Sequence, residues 1–330
     1  MDDLESQQIA LLNQWMGRTG PVSPGVLASF ARTSEGDLWR HLSVLQKGGC
    51  HWLDHPAQGL ELQKVGLGCW ADYLHSRHPR GIGCCVRVYE QTASTQAVAK
   101  DLIQRGSPVD GMVVVADHQT AGRGRFDRRW FAAPGCSILM TALVRSDRGA
   151  CRLTLGAALA AAEAVEQTCG LSPQVRWPND LYLHRKKLAG ILIEQVGTWA
   201  LVGLGLNVRS EPAGPPKQDA GRPFAATSLE QEGARLWRLQ LLDLLLERLQ
   251  THLTDSSDRH LADQWRMRCD QMQQRVTAMH DGRQIVGRVI DLDPAFGLLL
   301  STDEAMPVTL PPHSTRLETC ADPPTGLEIG

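Results

Sequence analysis

Four arginines crowd into seven residues of the stretch Ala116-Asp117-His118-Gln119-Thr120-Ala121-Gly122-Arg123-Gly124-Arg125-Phe126-Asp127-Arg128-Arg129-Trp130. With one aspartate among them, the local charge is +3. Guanidinium forks match phosphate and carboxylate oxygens. Gly122 and Gly124 let the backbone come close to a ligand. A loop of this kind could hold a phosphorylated ligand. A solvated basic loop has the same composition, so the loop alone does not decide.

Three further segments carry polar groups at strand or helix ends. In Val175-Arg176-Trp177-Pro178-Asn179-Asp180, Pro178 bends the chain where Asn179 and Asp180 can aim into a pocket. Lys187 begins a return strand after the basic turn His184-Arg185-Lys186-Lys187, and Gly190 leaves one face of it bare for a flat ring. A surface hairpin with a basic tip meets the same description. In Gly203-Leu204-Gly205-Leu206-Asn207 alternate glycines clear one face of a strand for a ligand or a close backbone. Thr92-Ala93-Ser94-Thr95-Gln96 reads as the cap of a helix running through Leu102, and capping alone explains it. No Ser/His/Asp or Cys/His arrangement offers a nucleophile. The eleven histidines show no ligand spacing, so no protein-held metal site is expected.

In their order and spacing, Gln119-Thr120-Ala121-Gly122-Arg123-Gly124-Arg125, Trp177-Pro178-Asn179-Asp180, Lys187-Leu188-Ala189-Gly190 and Gly203-Leu204-Gly205-Leu206-Asn207 resemble the biotin–protein ligases that carry an N-terminal winged helix. The resemblance covers nearly the whole chain and is weaker in the first 65 residues. It implies formation of biotinyl-5′-AMP from biotin and ATP with Mg²⁺, then transfer of biotin to a lysine of a biotin carboxyl carrier protein domain. It further implies that Ser94, Thr95 and Gln119 hydrogen-bond the ureido ring of biotin. Gly122, Gly190, Gly203 and Gly205 would let backbone line that pocket. Arg123 and Arg125 would hold the carboxylate and the phosphates, with Lys187 between carboxylate and α-phosphate. Trp130, Asn179 and Asn207 would contact ATP or its metal, and Asp180 would position or deprotonate the incoming lysine. Two segments depart from the family pattern: Asp127 stands where glycine is usual, and Ala93-Ser94-Thr95-Gln96 replaces Asp-Ser-Thr-Asn.

The elements that must position these residues suggest an α/β (α+β) chain in three parts. Residues 1–66 read as three helices and a β-hairpin, a winged helix-turn-helix. Apolar residues recur at helical spacing over 7–16, Ser23-Pro24-Gly25 starts a second helix, and Ser34 starts a third with Leu38, Leu42 and Leu45 on one face. Residues 67–270 alternate strands and helices, as a mixed-sheet catalytic domain would. Strands are expected at 111–116, 137–144, 181–183, 188–194 and 201–207, and helices at 150–168, 235–253 and 258–269. Residues 67–83 read as a linker with a short helix, and 211–223 as loop. From 271 to 330, short strands with turns at Asp281-Gly282, Asp293-Pro294 and Pro311-Pro312 suggest a small, SH3-like β-barrel.

Composition narrows the setting. The 330 residues are 42% hydrophobic and 21% charged, with a net charge of −2, unlike a disordered or nucleic-acid-coating chain. No apolar run is long enough for a membrane span, and the acidic start does not look like a secretory signal. Nine scattered cysteines without a C-x-x-C pair read as free thiols in a cytoplasmic protein. In the family, the winged helix can make the enzyme a repressor. Here residues 1–65 hold five basic and seven acidic residues, and Glu35 and Asp37 occupy the first turn of the third helix. DNA affinity rests mainly on phosphate neutralisation, so operator binding is not expected. The resemblance also allows a homodimer formed by sheet edges. A lipoate–protein ligase and a ligand-sensing repressor without catalysis are the alternatives.

Overall fold

The computed structural model describes residues 3–126, 128–209, 225–303 and 306–320. The expected loop at 211–223 and the departure at Asp127 lie outside the described residues. The chain opens with three helices, α1 (Asp3–Met16), α2 (Pro24–Ala31) and α3 (Glu35–Lys47). Ser23 and Ser34 cap the second and third as their sequence predicts, accepting from the Val26 and Asp37 amides. Leu38, Leu42 and Leu45 point inward against Leu11, Leu12 and Trp15. The hairpin β1 (His51–His55) and β2 (Gly59–Lys64) follows, and Val22 bridges to Leu60. A 3₁₀ turn at Leu67–Cys69 leads into α4 (Trp70–Arg77).

A seven-stranded mixed sheet forms the centre. Its strands are β3 (Cys85–Thr92), β4 (Met112–Gln119), β5 (Ser137–Arg145), β6 (Gln174–Arg176), β7 (Asp180–Leu183), β8 (Lys186–Val196) and β9 (Trp199–Asn207). They lie in the order β3-β4-β5-β9-β8-β7-β6, with β3 and β4 parallel and the other neighbours antiparallel. Successive residues of a strand face opposite sides. Met112 and Val114 therefore meet Ala99 and Leu102 of α5 (Thr95–Gln104), while Val113 and Val115 join the main core with α6 (Ala150–Cys169) and α7 (Arg238–Gln250). Burial on both faces makes β4 and β5 continuous apolar runs, which is why they are legible in sequence.

Several boundaries differ from expectation. The edge strand β3 is absent from the sequence reading because its Arg87, Glu90 and Gln91 break the apolar pattern of a buried strand. The turn between β7 and β8 is two residues, not four: Leu183 pairs with Lys186, and His184 and Arg185 both take positive φ, 47° and 65°. That is the geometry whose twist suits a two-residue hairpin, adopted here without glycine or asparagine. The helix expected at 235–253 begins at Arg238 and passes into a π-helical turn at Thr251–Asp255 before α8 (Asp258–Arg268).

The C-terminal unit is a five-stranded antiparallel sheet of β10 (Arg275–His280), β11 (Arg283–Asp293), β12 (Gly297–Ser301), β13 (Val308–Leu310) and β14 (Thr315–Cys320). The strand order is β13-β12-β11-β10-β14. Asp281-Gly282 forms the expected turn with both φ positive. Arg266 of α8 reaches Asp291 of β11 with two hydrogen bonds of 2.8 and 2.9 Å, tying this sheet to α8. Among the described residues no helix is long and apolar enough to cross a membrane.

Candidate active site

A cavity of about 510 Å³ opens over the middle of the central sheet, where β4, β8 and β9 meet the start of α5. Its polar floor is organised by Gln119, the last residue of β4. The Thr95 amide and hydroxyl both donate to Gln119 Oε1, at 2.7 and 3.1 Å. A backbone N–H is an unambiguous donor, so this network fixes the orientation of the Gln119 amide and leaves Nε2 without a hydrogen-bond acceptor among the described residues. Thr141 of β5 donates to the Thr95 hydroxyl at 2.8 Å. Ser94 occupies the N-cap position of α5 but makes no side-chain capping bond. The cap comes instead from Gln119, 24 residues away, so side-chain capping within the 92–96 segment does not account for Ser94.

The arginine loop leaves the end of β4 and folds back on itself. Gly124 N–H donates to Arg128 O and Trp130 N–H to Gly122 O. The return brings Trp130 across the sheet, with its indole against the bare faces of β8 and β9. A Cβ on Gly205 would lie 2.5 Å from Trp130 Cε2, and one on Gly190 3.1 Å from Cζ3. The alternate glycines thus do clear a surface for a flat ring, and in this structure the ring is the protein's own. The Trp130 Nε1 donor is buried and meets no acceptor among the described residues. The face of Gly203 is filled by Gln96, whose Nε2 donates to Leu192 O at 2.9 Å.

Charge gathers on one wall. Lys187 Nζ donates to Asp180 Oδ1 at 2.6 Å and lies 5.8 Å from the Trp130 ring centroid. Arg125 donates to Asn179 Oδ1 at 3.2 Å, to Thr315 O at 3.0 Å and to Pro312 O. Burial pulls the Arg125 guanidinium down to about 10, and Asp180 opposes that shift. The group stays protonated at neutral pH. A half-buried cation seated largely on neutral carbonyl and amide oxygens is ready to receive an anion.

The matching family model is the biotin/lipoate A/B protein ligase family, over residues 88–208. A biotin–[acetyl-CoA-carboxylase] ligase of Mycobacterium tuberculosis is 32% identical over 226 residues, which cover 64% of this chain and 82% of that protein. The chain belongs to the biotin protein ligases of this family. The bifunctional ligase/repressor BirA of Bacillus subtilis is 29% identical over 63% of this chain, and the match spans 66% of its own length. A biotin protein ligase from Aquifex aeolicus, solved in complex with biotin and ATP, superposes with a TM-score of 0.61 at 24% identity. That likeness covers 71% of this chain and 98% of the other, and it establishes the shared fold.

Of the residues singled out from the family's motifs, Ser94, Thr95, Gln119, Arg123, Arg125, Trp130, Asn179, Asp180, Lys187, Gly190, Gly203 and Gly205 all wall the cavity. Two stand apart. Gly122 is not in the wall; a Cβ there would lie 2.6 Å from Trp130 O, so its smallness serves the crossing of two loop strands. Asn207 is buried behind the wall, with Nδ2 donating to Thr227 O and Oδ1 accepting from Ser137. Its amide holds the 225–229 segment beside β9. The sequence reading missed Gln96 and Thr141, which brace the floor, and Arg316, Leu317 and Gln271, which reach the wall from the C-terminal part. Gln96 ends the quoted 92–96 segment, where its own role was not read; Thr141, Gln271, Arg316 and Leu317 lie in no local motif, so no short-range pattern marks them.

Proposed function

We propose that this chain activates biotin with ATP and transfers it to a lysine of a carrier domain. The observation that carries the reading is the cation-lined wall of Arg123, Arg125 and Lys187, set directly beside the Gln119–Thr95 floor. In the first step a biotin carboxylate oxygen attacks the α-phosphorus of ATP. The bond from that phosphorus to the bridging oxygen breaks, and pyrophosphate leaves. Attack brings two anions together, and fixed cations offset that repulsion where charge accumulates. Arg123 and Arg125 would take the carboxylate and phosphate oxygens, with Lys187 between them. Nε2 of Gln119 and the hydroxyls of Ser94 and Thr95 would bind the ureido group. The Trp130 indole supplies a flat surface on the nucleotide side, and Asn179 a polar contact.

In the second step a lysine Nζ attacks the acyl carbon, the bond to the AMP oxygen breaks, and AMP leaves. Asp180 would orient that amine or accept its proton once Lys187 is drawn to the substrate oxygens. Among the described residues no three potential ligands cluster. The oxygen donors at the wall, Asn179 and Asp180, fit Mg²⁺ only as an ion that arrives with the triphosphate. Bound there, it neutralises phosphate charge.

The three-part organisation supports the same reading. Residues 1–66 are assigned as a winged helix-turn-helix-like unit, 67–270 as the catalytic unit and 271–330 as an SH3-like barrel. The first unit is assigned a structural or protein-binding role and no DNA operator. Glu35 and Asp37 sit in the first turn of α3, and Trp39 beside them is 54% exposed. The test of the main reading is to incubate the protein with biotin, MgATP and a biotin carboxyl carrier protein domain. ATP-dependent labelling of the acceptor lysine is expected, and none when that lysine is arginine. Labelling by lipoate and not by biotin would replace this reading with the lipoate alternative.

A further inference from the structure

The wall of the cavity is held from outside the catalytic sheet at a place no motif marks. The connection between β6 and β7 carries Trp177, Pro178 and Asn179, and its ladder ends at the pair Arg176 and Asp180. The Trp177 amide therefore has no strand partner. It donates instead to Gln271 Oε1 at 2.7 Å. Gln271 is 0% exposed and lies in the segment joining α8 to β10. The residue before it acts on the residue before Trp177: Asp270 takes the Arg176 guanidinium at Nε, 3.3 Å, and at a terminal nitrogen. Tyr182 lies against the same guanidinium, 4.3 Å from ring centroid to Cζ. Two consecutive residues of the α8–β10 connection thus grip two consecutive residues at the β6–β7 turn.

The reactive part of the wall lies just beyond the gripped pair. Past Pro178 the chain reaches Asn179 and Asp180, and they meet Arg125 and Lys187 respectively. On the far side of the turn, Asn179 Nδ2 donates to Ile191 O at 2.7 Å. The turn is fixed at its exit by β8 and at its entry by Gln271 and Asp270. An unsatisfied buried amide would pull the entry toward any other acceptor.

We propose that Gln271 is a positioning residue: its side-chain carbonyl, backed by the Asp270–Arg176 pair, sets the Trp177–Asn179 turn so that Asn179 and Asp180 face Arg125 and Lys187. Gln271 thereby acts on the reaction through the turn it holds. This inference rests on the ligase reading for its kinetic consequence and on the geometry alone for its structural one.

The test compares Gln271→Met, which keeps volume and removes the acceptor, with Gln271→Glu, which keeps an acceptor oxygen. Kinetics of biotin-dependent pyrophosphate exchange and of carrier labelling are measured alongside amide exchange of the peptide spanning 176–183. The methionine variant is expected to lose amide protection in that peptide. Its kcat for carrier labelling should fall about 10- to 100-fold, the scale of an ångström-sized misplacement. KM for biotin should stay within about threefold, because the Gln119–Thr95–Thr141 floor is held by its own hydrogen bonds and only the turn moves. The glutamate variant should restore both protection and kcat. Equal kcat in the methionine variant and the parent would overturn the proposal. So would a fall shared equally by both variants and tracking their melting temperatures, because that is general destabilisation. If the parent labels nothing, the ligase reading fails; unchanged exchange at 176–183 in the methionine variant then overturns the positioning role separately.

Discussion

Replacing Gly205 by alanine probes the surface that the Trp130 ring covers. The new Cβ would lie 2.5, 2.8 and 2.9 Å from Trp130 Cε2, Nε1 and Cζ2. Carbon atoms pack best at about 3.5–4.0 Å, so the overlap is about 1 Å. Gly205 does not have positive φ, so alanine brings no backbone strain at this position. The ring must slide by about the overlap or the core must absorb it, and overpacking of that size costs about 1–3 kcal/mol. In a chain of this length such a cost lowers Tm by a few degrees, on the order of 2–8 °C. The catalytic effect should be larger than the stability effect, because a flat ligand ring would use the same bare face. A misplacement of about 1 Å lowers kcat/KM for pyrophosphate exchange by about 10²-fold. The decisive measurement is a double-mutant cycle in thermal unfolding. In a Trp130→Ala background the ring is gone, and Gly205→Ala should then cost almost nothing. If the two changes simply add, the clash is not with Trp130 and the account of this surface is wrong.

Lys187→Ala should lower the rate of biotin adenylation by about 10²–10³-fold, the loss typical of one transition-state charge contact. Its Tm should shift little, because the Asp180 partner is within reach of water; a large loss of stability with normal adenylation would contradict the assigned role. Glu232 tests the hairpin that carries Lys187. Hydrogen bonds from Thr227 and His184, helped by Lys186, hold its carboxyl down at about 2. A carboxyl lowered in the folded state stabilises the fold above its unfolded value near 4.5, and that contribution is lost as pH falls through about 2. The melting temperature of Glu232→Gln should therefore fall less than that of the parent between pH 4.5 and 2, and parallel curves would refute the pairing. Finally, the arginines at 123, 125, 128 and 129 repel one another until an anion is bound. Limited proteolysis in the 120–130 loop should slow on adding biotin with MgATP, and an unchanged cleavage rate would count against that coupling.

Much of the site was legible without the structure because its parts are local. A glycine–arginine loop, a proline bend followed by Asn179 and Asp180, and alternate glycines in a strand each state a short-range requirement. The buried runs of β4 and β5 and the serine caps of α2 and α3 are equally local, set by side-chain burial and by orphan amides at helix starts. The half-exposed edge strand β3 was not legible, since β propensity without a buried face leaves little pattern. Nor was the role of Gly122, whose spacing looks like ligand binding and whose neighbour is Trp130 O.

The sequence by itself determined which residue types could bind an acylated nucleotide and the order of the elements carrying them. Tertiary structure decided which of them meet. Gln119 replaces the cap of α5, Asn207 is committed to Thr227, and Gln271 finds the Trp177 amide 94 residues away. Cys50 and Cys69, unremarkable in sequence, come to rest with sulfurs 3.6 Å apart. The physical reason is the same in each case. Most buried donors and acceptors are held by a partner, but any chain segment that packing brings near can supply it, and sequence spacing does not record that choice.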